Sequence, residues 1–242
     1  MTGEIKCEKQ DSIVIITISR PDKLNSVTRE MLIDFDEKVS RFANDPDIAA
    51  LIFTGEGEKA FCAGFDLKMI KGLSDDEYTD FFKGLEKTIR VIKQARNCIT
   101  IAAVNGHAIG FGAMVSNACD FRFYSKNASF SLPEITIDIF PGAGAASSLI
   151  QLVGPAKSKD ILLTGRRISA HEAFRIGIAD RLIEQDELLD KALEFAKELV
   201  EKNRVILLRT KTLVDIMTGQ SVEGADELEC TYLDEWLREH RK

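Results

Sequence analysis

The sequence predicts an α/β layered fold. Three observations carry that reading. The first half alternates β-branched runs with apolar residues at helical spacing, the second half reads as mostly amphipathic helix, and a balance of 45% apolar to 29% charged residues is that of a soluble globular chain. A length of 242 residues permits one large domain or two small ones.

Each element has a local reason. Residues 12–19 (SIVIITIS) are rich in β-branched side chains and read as a strand, ended by the turn Pro21-Asp22. Met31, Leu32, Phe35, Val39 and Phe42 then recur at helical spacing, with Thr28 placed to cap them. Residues 49–54 read as a second, buried strand, and Phe81, Phe82, Leu85, Ile89 and Ile92 mark a second helix. Residues 100–104 are a third strand before the turn Asn105-Gly106, and 121–124 a short fourth. Farther on, Ser169-Ala-His-Glu172 has capping-box spacing. Residues 188–202, 204–217 and 225–239 follow as helices. The last carries Leu228, Tyr232, Leu233, Trp236 and Leu237, a stripe expected to pack in a core or against another copy.

Composition removes several classes of function. Lys plus Arg number 32 against 39 Asp plus Glu, and the resulting net charge of −7 argues against nucleic acid as a partner. The apolar runs at 48–53 and 98–104 fall far short of the roughly 20 residues a membrane helix needs. The opening MTGEIKCEKQ has no apolar signal core, so secretion is not expected. Five widely spaced cysteines without CxxC fit a reducing cytoplasm rather than a disulfide framework or a zinc site. The histidines, His107, His171 and His240, form no metal-ligand cluster, so no metal is expected.

Three glycine-containing segments stand out: 60–67 (AFCAGFDL), 105–114 (NGHAIGFGAM) and 132–144 (LPEITIDIFPGAG). A dinucleotide fingerprint is one reading. Gly110-Phe-Gly112-Ala-Met-Val115 begins like GxGxxG but ends in Val, and Glu134 lies about 20 residues on, where a ribose-binding acid would stand. Simple turn glycines are a second reading. The third is an anion site, in which a glycine turn opening a helix offers free amides, here those of Gly110, Phe111 and Gly112. With a second turn at Ala63-Gly-Phe-Asp66, two converging amides make an oxyanion hole able to hold an enolate oxygen.

In their order and spacing, these segments resemble the crotonase, or enoyl-CoA hydratase/isomerase, superfamily over nearly the whole chain. The matching motifs are 19–25 (SRPDKLN), 60–67, 102–112 (AAVNGHAIGFG), Cys119-Asp120, Leu132-Pro-Glu134, 140–144 (FPGAG), 163–165 (LTG) and 173–182 (AFRIGIADRL). The resemblance implies a crotonase-like spiral of ββα units, with an acyl-CoA-binding core over 1–190. A C-terminal helical region over 191–242 would build a homotrimer or a dimer of trimers within the same structural domain. It implies an acyl-CoA thioester as ligand, with coenzyme A part of the substrate and no further cofactor. The oxyanion hole would be the amides of Phe65 and Phe111, whose side chains narrow the space around the thioester. Ala63, Asp66, Leu67 and Lys68 match the segment at the adenine end of the CoA site, and Lys23 and Leu24 the turn beside its phosphates. Gly110 and Gly142 belong to the substrate-binding turns.

Hydratases of that family use two glutamates. Here the first position is Met114 and the second is Glu134. Met has no proton to relay, so one base beside an enolate hole fits double-bond isomerisation, as in the one-glutamate Δ3,Δ2-enoyl-CoA isomerases. Hydration, decarboxylation of a malonyl-type thioester and silent acyl-CoA binding are the alternatives. Asp138 interrupts the apolar run at 135–140. It is expected either to face solvent or to line the pocket in place of the missing glutamate, and Met114 to line the pocket.

Overall fold

The computed structural model describes residues 3–217. Its chain opens with a hairpin of β1 (Glu4–Gln10) and β2 (Ile13–Ser19), paired from Glu4↔Ser19 to Gln10↔Ile13. The strand expected over 12–19 is β2; β1 was not expected. It is an edge strand in which Ile5 alone is buried, so EIKCEKQ carries charge where an apolar signal is sought. Next come α1 (Arg29–Asn44), β3 (Ala50–Gly55), β4 (Ala60–Cys62), α2 (Leu67–Lys71), α3 (Asp75–Lys93), β5 (Ile99–Val104) and β6 (His107–Ile109). Then follow α4 (Phe111–Ala118), β7 (Phe121–Ser125), β8 (Ser129–Ser131), α5 (Ala145–Thr164), β9 (Ile168–Ser169) and α6 (Ala170–Ile176). The described chain ends with β10 (Arg181–Ile183), α7 (Leu188–Val200) and α8 (Arg204–Met217).

A six-stranded sheet runs β1-β2-β3-β5-β7-β10, and a four-stranded sheet β4-β6-β8-β9. The pairs β3, β4 and β5, β6 and β7, β8 each place one strand in the large sheet and the next in the small one. The first two pairs are followed directly by helices, so the architecture is a repeated ββα turn. Pairing from β2 through β10 is parallel in the large sheet. Every residue of β3 and β5 is buried, because an inner parallel strand is covered on both faces.

Caps set the helix starts. Thr28 Oγ1 accepts from the Met31 amide at 3.3 Å, as expected. The capping box expected at Ser169 is half made. Ser169 Oγ accepts from the Glu172 amide at 3.2 Å, but the Glu172 carboxylate is taken by the Arg166 guanidinium at 2.8 and 3.1 Å. A full reciprocal box forms instead between Ser74 and Glu77, opening α3. α5 breaks at Gly154, whose φ of +73° precedes Pro155, a residue with no N–H for the helix.

Met1–Lys197 and Glu198–Lys242 form two compact units. The division falls within α7, where Phe195 of the first unit packs on Phe121 and Phe123 with centroids 4.9 and 5.3 Å apart. The helix expected over 225–239 lies outside the described residues. Among the described residues no helix is long and apolar enough to cross a membrane. In the core of the first unit, Phe35 packs on Phe53 at 5.8 Å and edge-on against Phe111 at 5.6 Å, which anchors the start of α4.

Candidate active site

β4 and β6 pair in parallel, Ala60 with His107 and Cys62 with Ala108, so the turns that leave them lie side by side. Gly64 and Gly110 occupy these turns with φ of +89° and +53°, a region that side chains other than glycine's rarely tolerate. A Cβ on Gly64 would lie 3.3 Å from the Ile109 carbonyl oxygen, and one on Gly110 would lie 3.8 Å from Gly64 Cα. Glycine is therefore required twice over, by backbone angle and by the approach of the two turns.

The amides then sort themselves. Gly110 N–H donates to the Ser131 carbonyl at 3.0 Å, and the Gly112 amide is turned toward the Cys62 sulfur. The amide of Phe111, the first residue of α4, makes no hydrogen bond within the described residues. Phe65 forms a parallel bridge to Val27, in which Val27 N–H donates to Gly64 O at 2.8 Å and Asp66 N–H to Val27 O at 3.1 Å. That pattern leaves the Phe65 N–H on the side away from Val27. It too has no partner among the described residues. The two rings stack at 4.9 Å with a 27° interplanar angle. Phe111 is only 1% exposed. Its ring packs edge-on against Phe35 in the core, while Phe65 and Phe111 both remain in the cavity wall.

Phe65 and Phe111 open onto a cavity of about 590 Å³. Glu134 lines it from the start of a 3-10 turn, Glu134–Ile137, that follows β8. Glu134 is 7% exposed and its Oε2 is buried without a hydrogen-bond partner. Burial raises its carboxyl pKa above the ordinary value, opposed only by its own backbone N–H. The other cavity carboxylate, Glu86, is exposed and ion-paired with Arg90. Met114 faces the same cavity from α4 and is buried. The structure thus brings together one desolvated, unpaired carboxylate and two free backbone donors, the components of enolate chemistry.

Among the expected site residues, Ala63, Phe65, Leu67, Gly110, Phe111, Met114, Glu134 and Gly142 line the cavity. Lys23, Leu24, Asp66, Lys68 and Asp138 do not. Lys23 and Leu24 lie in an exposed turn tied to the cavity wall, the Leu24 carbonyl accepting from Ala63 N–H at 3.0 Å. Asp66 is committed elsewhere: it accepts from the Lys68 amide at 3.0 Å, capping α2, and pairs with Arg20 at 3.0 Å. The Arg20 hydrogen bond holds the Asp66 pKa below the ordinary value. The Lys68 side chain is exposed. Asp138 does not replace the missing glutamate. It is exposed and ends the 3-10 turn at φ +57°, with its amide bonded to the Glu134 carbonyl. Among the described residues no group of three His, Cys, Asp or Glu is poised to hold a metal.

The sequence reading missed Arg20, which fastens the 20–26 turn to Asp66, and the α3 wall of Tyr78, Phe82 and Leu85. The periodicity of α3 was visible, but helical spacing alone does not say whether an apolar face meets the core or a cavity.

The comparisons agree with this geometry. The family model described as enoyl-CoA hydratase/isomerase matches residues 8–238. The chain is 33% identical over 222 residues to a crotonyl-CoA hydratase of Syntrophomonas wolfei, covering 92% of this chain and 85% of that protein. It is 36% identical over 230 residues to a carnitinyl-CoA dehydratase of Escherichia coli K12, covering 93% and 85%. A crystal structure of an enoyl-CoA hydratase from Bacillus anthracis superposes with a TM-score of 0.91 at 30% identity, over 96% of this chain and 90% of that one. With its ββα architecture, its paired glycine turns and a family match across most of its length, the chain belongs to the enoyl-CoA hydratase/isomerase family, of the crotonase superfamily.

Proposed function

We propose that this chain shifts the double bond of an enoyl-CoA thioester, with Glu134 as the single base. The observation that carries the reading is the buried Glu134 carboxylate, unpartnered at Oε2, in a cavity where the other glutamate position is Met114. The thioester carbonyl oxygen would accept from the N–H groups of Phe65 and Phe111. Glu134 removes a proton from C2 of a 3-enoyl thioester, and the electron pair moves onto the carbonyl oxygen as a dienolate. The two donors hold that charge, each worth about 10²–10³ in rate. Protonated Glu134 then returns the proton to C4, giving the conjugated 2-enoyl thioester. The proton count balances without redox chemistry, so the reaction needs no cofactor beyond the CoA of its substrate. The raised pKa of Glu134 suits a group that must both take and hold a proton.

Hydration of a 2-enoyl thioester is the second reading, favoured by the hydratase and dehydratase names of similar proteins. It lacks the second carboxylate, since Met114 neither relays a proton nor orients water. Purified protein offered a 2-enoyl, a 3-enoyl and a malonyl-type CoA separates the readings. Formation of the 2-enoyl thioester from the 3-enoyl one, lost in Glu134→Gln, is expected. Rapid hydration of the 2-enoyl thioester would show the isomerase reading wrong. Decarboxylation of the malonyl-type thioester that survives Glu134→Gln would also overturn it. A homotrimer or a dimer of trimers is proposed for the assembly, and a monomer in light scattering at micromolar concentration would refute it.

A further inference from the structure

The rim of the cavity is apolar where a rim is ordinarily polar. Leu67 from α2, Tyr78 from α3, and Ile137 and Phe140 from the segment after β8 all line the cavity and are exposed. Phe140 is 85% exposed, an unusual position for a phenylalanine unless something covers it. Inside the rim, Ile70 and Leu85 are buried and apolar, and Met114 adds a pliable wall. The interior and the rim of the cavity are therefore predominantly apolar. At about 590 Å³ the cavity is of the size that encloses a drug-sized ligand rather than a small fragment.

We propose that the acyl group this site takes is a linear hydrocarbon chain of about eight carbons or more, its far end lying on Tyr78, Ile137 and Phe140. Phe140 is then a specificity-determining residue. Two exposed, oppositely charged side chains also line the cavity, Lys83 and Glu86, and Glu86 is held by Arg90. The physical driver is desolvation: each methylene moved from water to this wall favours binding about fourfold at full burial, and less at the partly open rim.

This inference rests on the acyl-CoA reading above, and binding rather than turnover separates the two. Saturated acyl-CoA thioesters of four, eight and twelve carbons are titrated calorimetrically into the whole protein. Affinity is expected to rise about two- to fourfold per methylene between four and eight carbons, and more slowly to twelve. Phe140→Ala removes an exposed side chain, so the variant folds. In it the ratio of twelve- to four-carbon affinity should fall about five- to tenfold. A flat or declining ladder with measurable binding overturns the chain-length inference and leaves the acyl-CoA reading intact. An unchanged ratio in Phe140→Ala, together with a change in assembly mass on light scattering, would assign the rim to contact between copies and overturn the inference as well. Absence of binding by all three thioesters removes both. A rising ladder without any turnover supports the chain-length inference and refutes the isomerase.

Discussion

Gly110 stands directly against the carboxylate of Glu134: a Cβ on Gly110 would lie 3.3 Å from Glu134 Oε1. The missing side chain is what lets the glycine turn carrying the Phe111 amide and the candidate base share one end of the cavity. Gly110→Ala meets both this contact and a backbone φ of +53°. Its stability should fall by about 1–3 kcal/mol in urea unfolding. Turnover should fall by about 10²-fold because the Phe111 amide shifts relative to Glu134. Wild-type turnover in a folded Gly110→Ala protein would separate this turn from catalysis.

The pH behaviour of Glu134 has a defined sign. Burial raises its folded pKa above the ordinary 4.5. The stability it contributes is fully present below pH 4.5 and is lost as pH rises through the folded value, where the native state must bury a charge. Glu134→Gln should therefore lose less stability than wild type across that window, read as the urea midpoint against pH. The acid limb of kcat/KM should sit above 4.5, since the base acts ionised. A limb at or below 4.5 contradicts the role.

Met114→Glu tests why one carboxylate is present rather than two. Two carboxylates in one apolar cavity repel, so one pKa climbs further. The acid limb of the isomerisation profile should move to higher pH, and stability at neutral pH should drop by about 1–3 kcal/mol. Hydration of a 2-enoyl thioester should rise at least about tenfold over wild type as a second proton relay appears. No gain in hydration would mean that position 114 is not what sets the reaction.

Asp66 has two separable jobs, capping α2 and pairing with Arg20. Asn keeps the cap and loses the charge, whereas Ala loses both. Asp66→Ala should cost about 1 kcal/mol more than Asp66→Asn by urea midpoint at neutral pH. Because Arg20 depresses the folded pKa of Asp66 below 3.8, its stabilisation is present above that pH and is lost as pH falls through the folded value. Asp66→Asn should flatten that acid loss, and equal midpoints for the two variants would dismiss the capping role.

How much of this was legible without the structure differs by element. Strands β2, β3, β5 and β7 and helices α1, α3, α7 and α8 were readable because their apolar residues are close in sequence and follow a period. A strand such as β3, buried along its whole length, has to be written as an unbroken apolar run. The three-residue strands β4, β6 and β8 were not readable, since only pairing with partners dozens of residues away makes them strands. The site divides the same way. The sequence by itself determined the donors of chemistry: glycine turns at 64 and 110, Glu134, and Met114 where a second glutamate would stand. Only the tertiary structure decided that Gly110 spends its amide on Ser131 while the Phe111 amide has no partner among the described residues. It alone decided that Asp66 belongs to Arg20, that Asp138 faces solvent, and that α3 supplies a cavity wall. Residue type sets what a group can donate, accept or bury. Whether it does so depends on which distant group arrives beside it, and that is fixed by chain crossings that leave no local period.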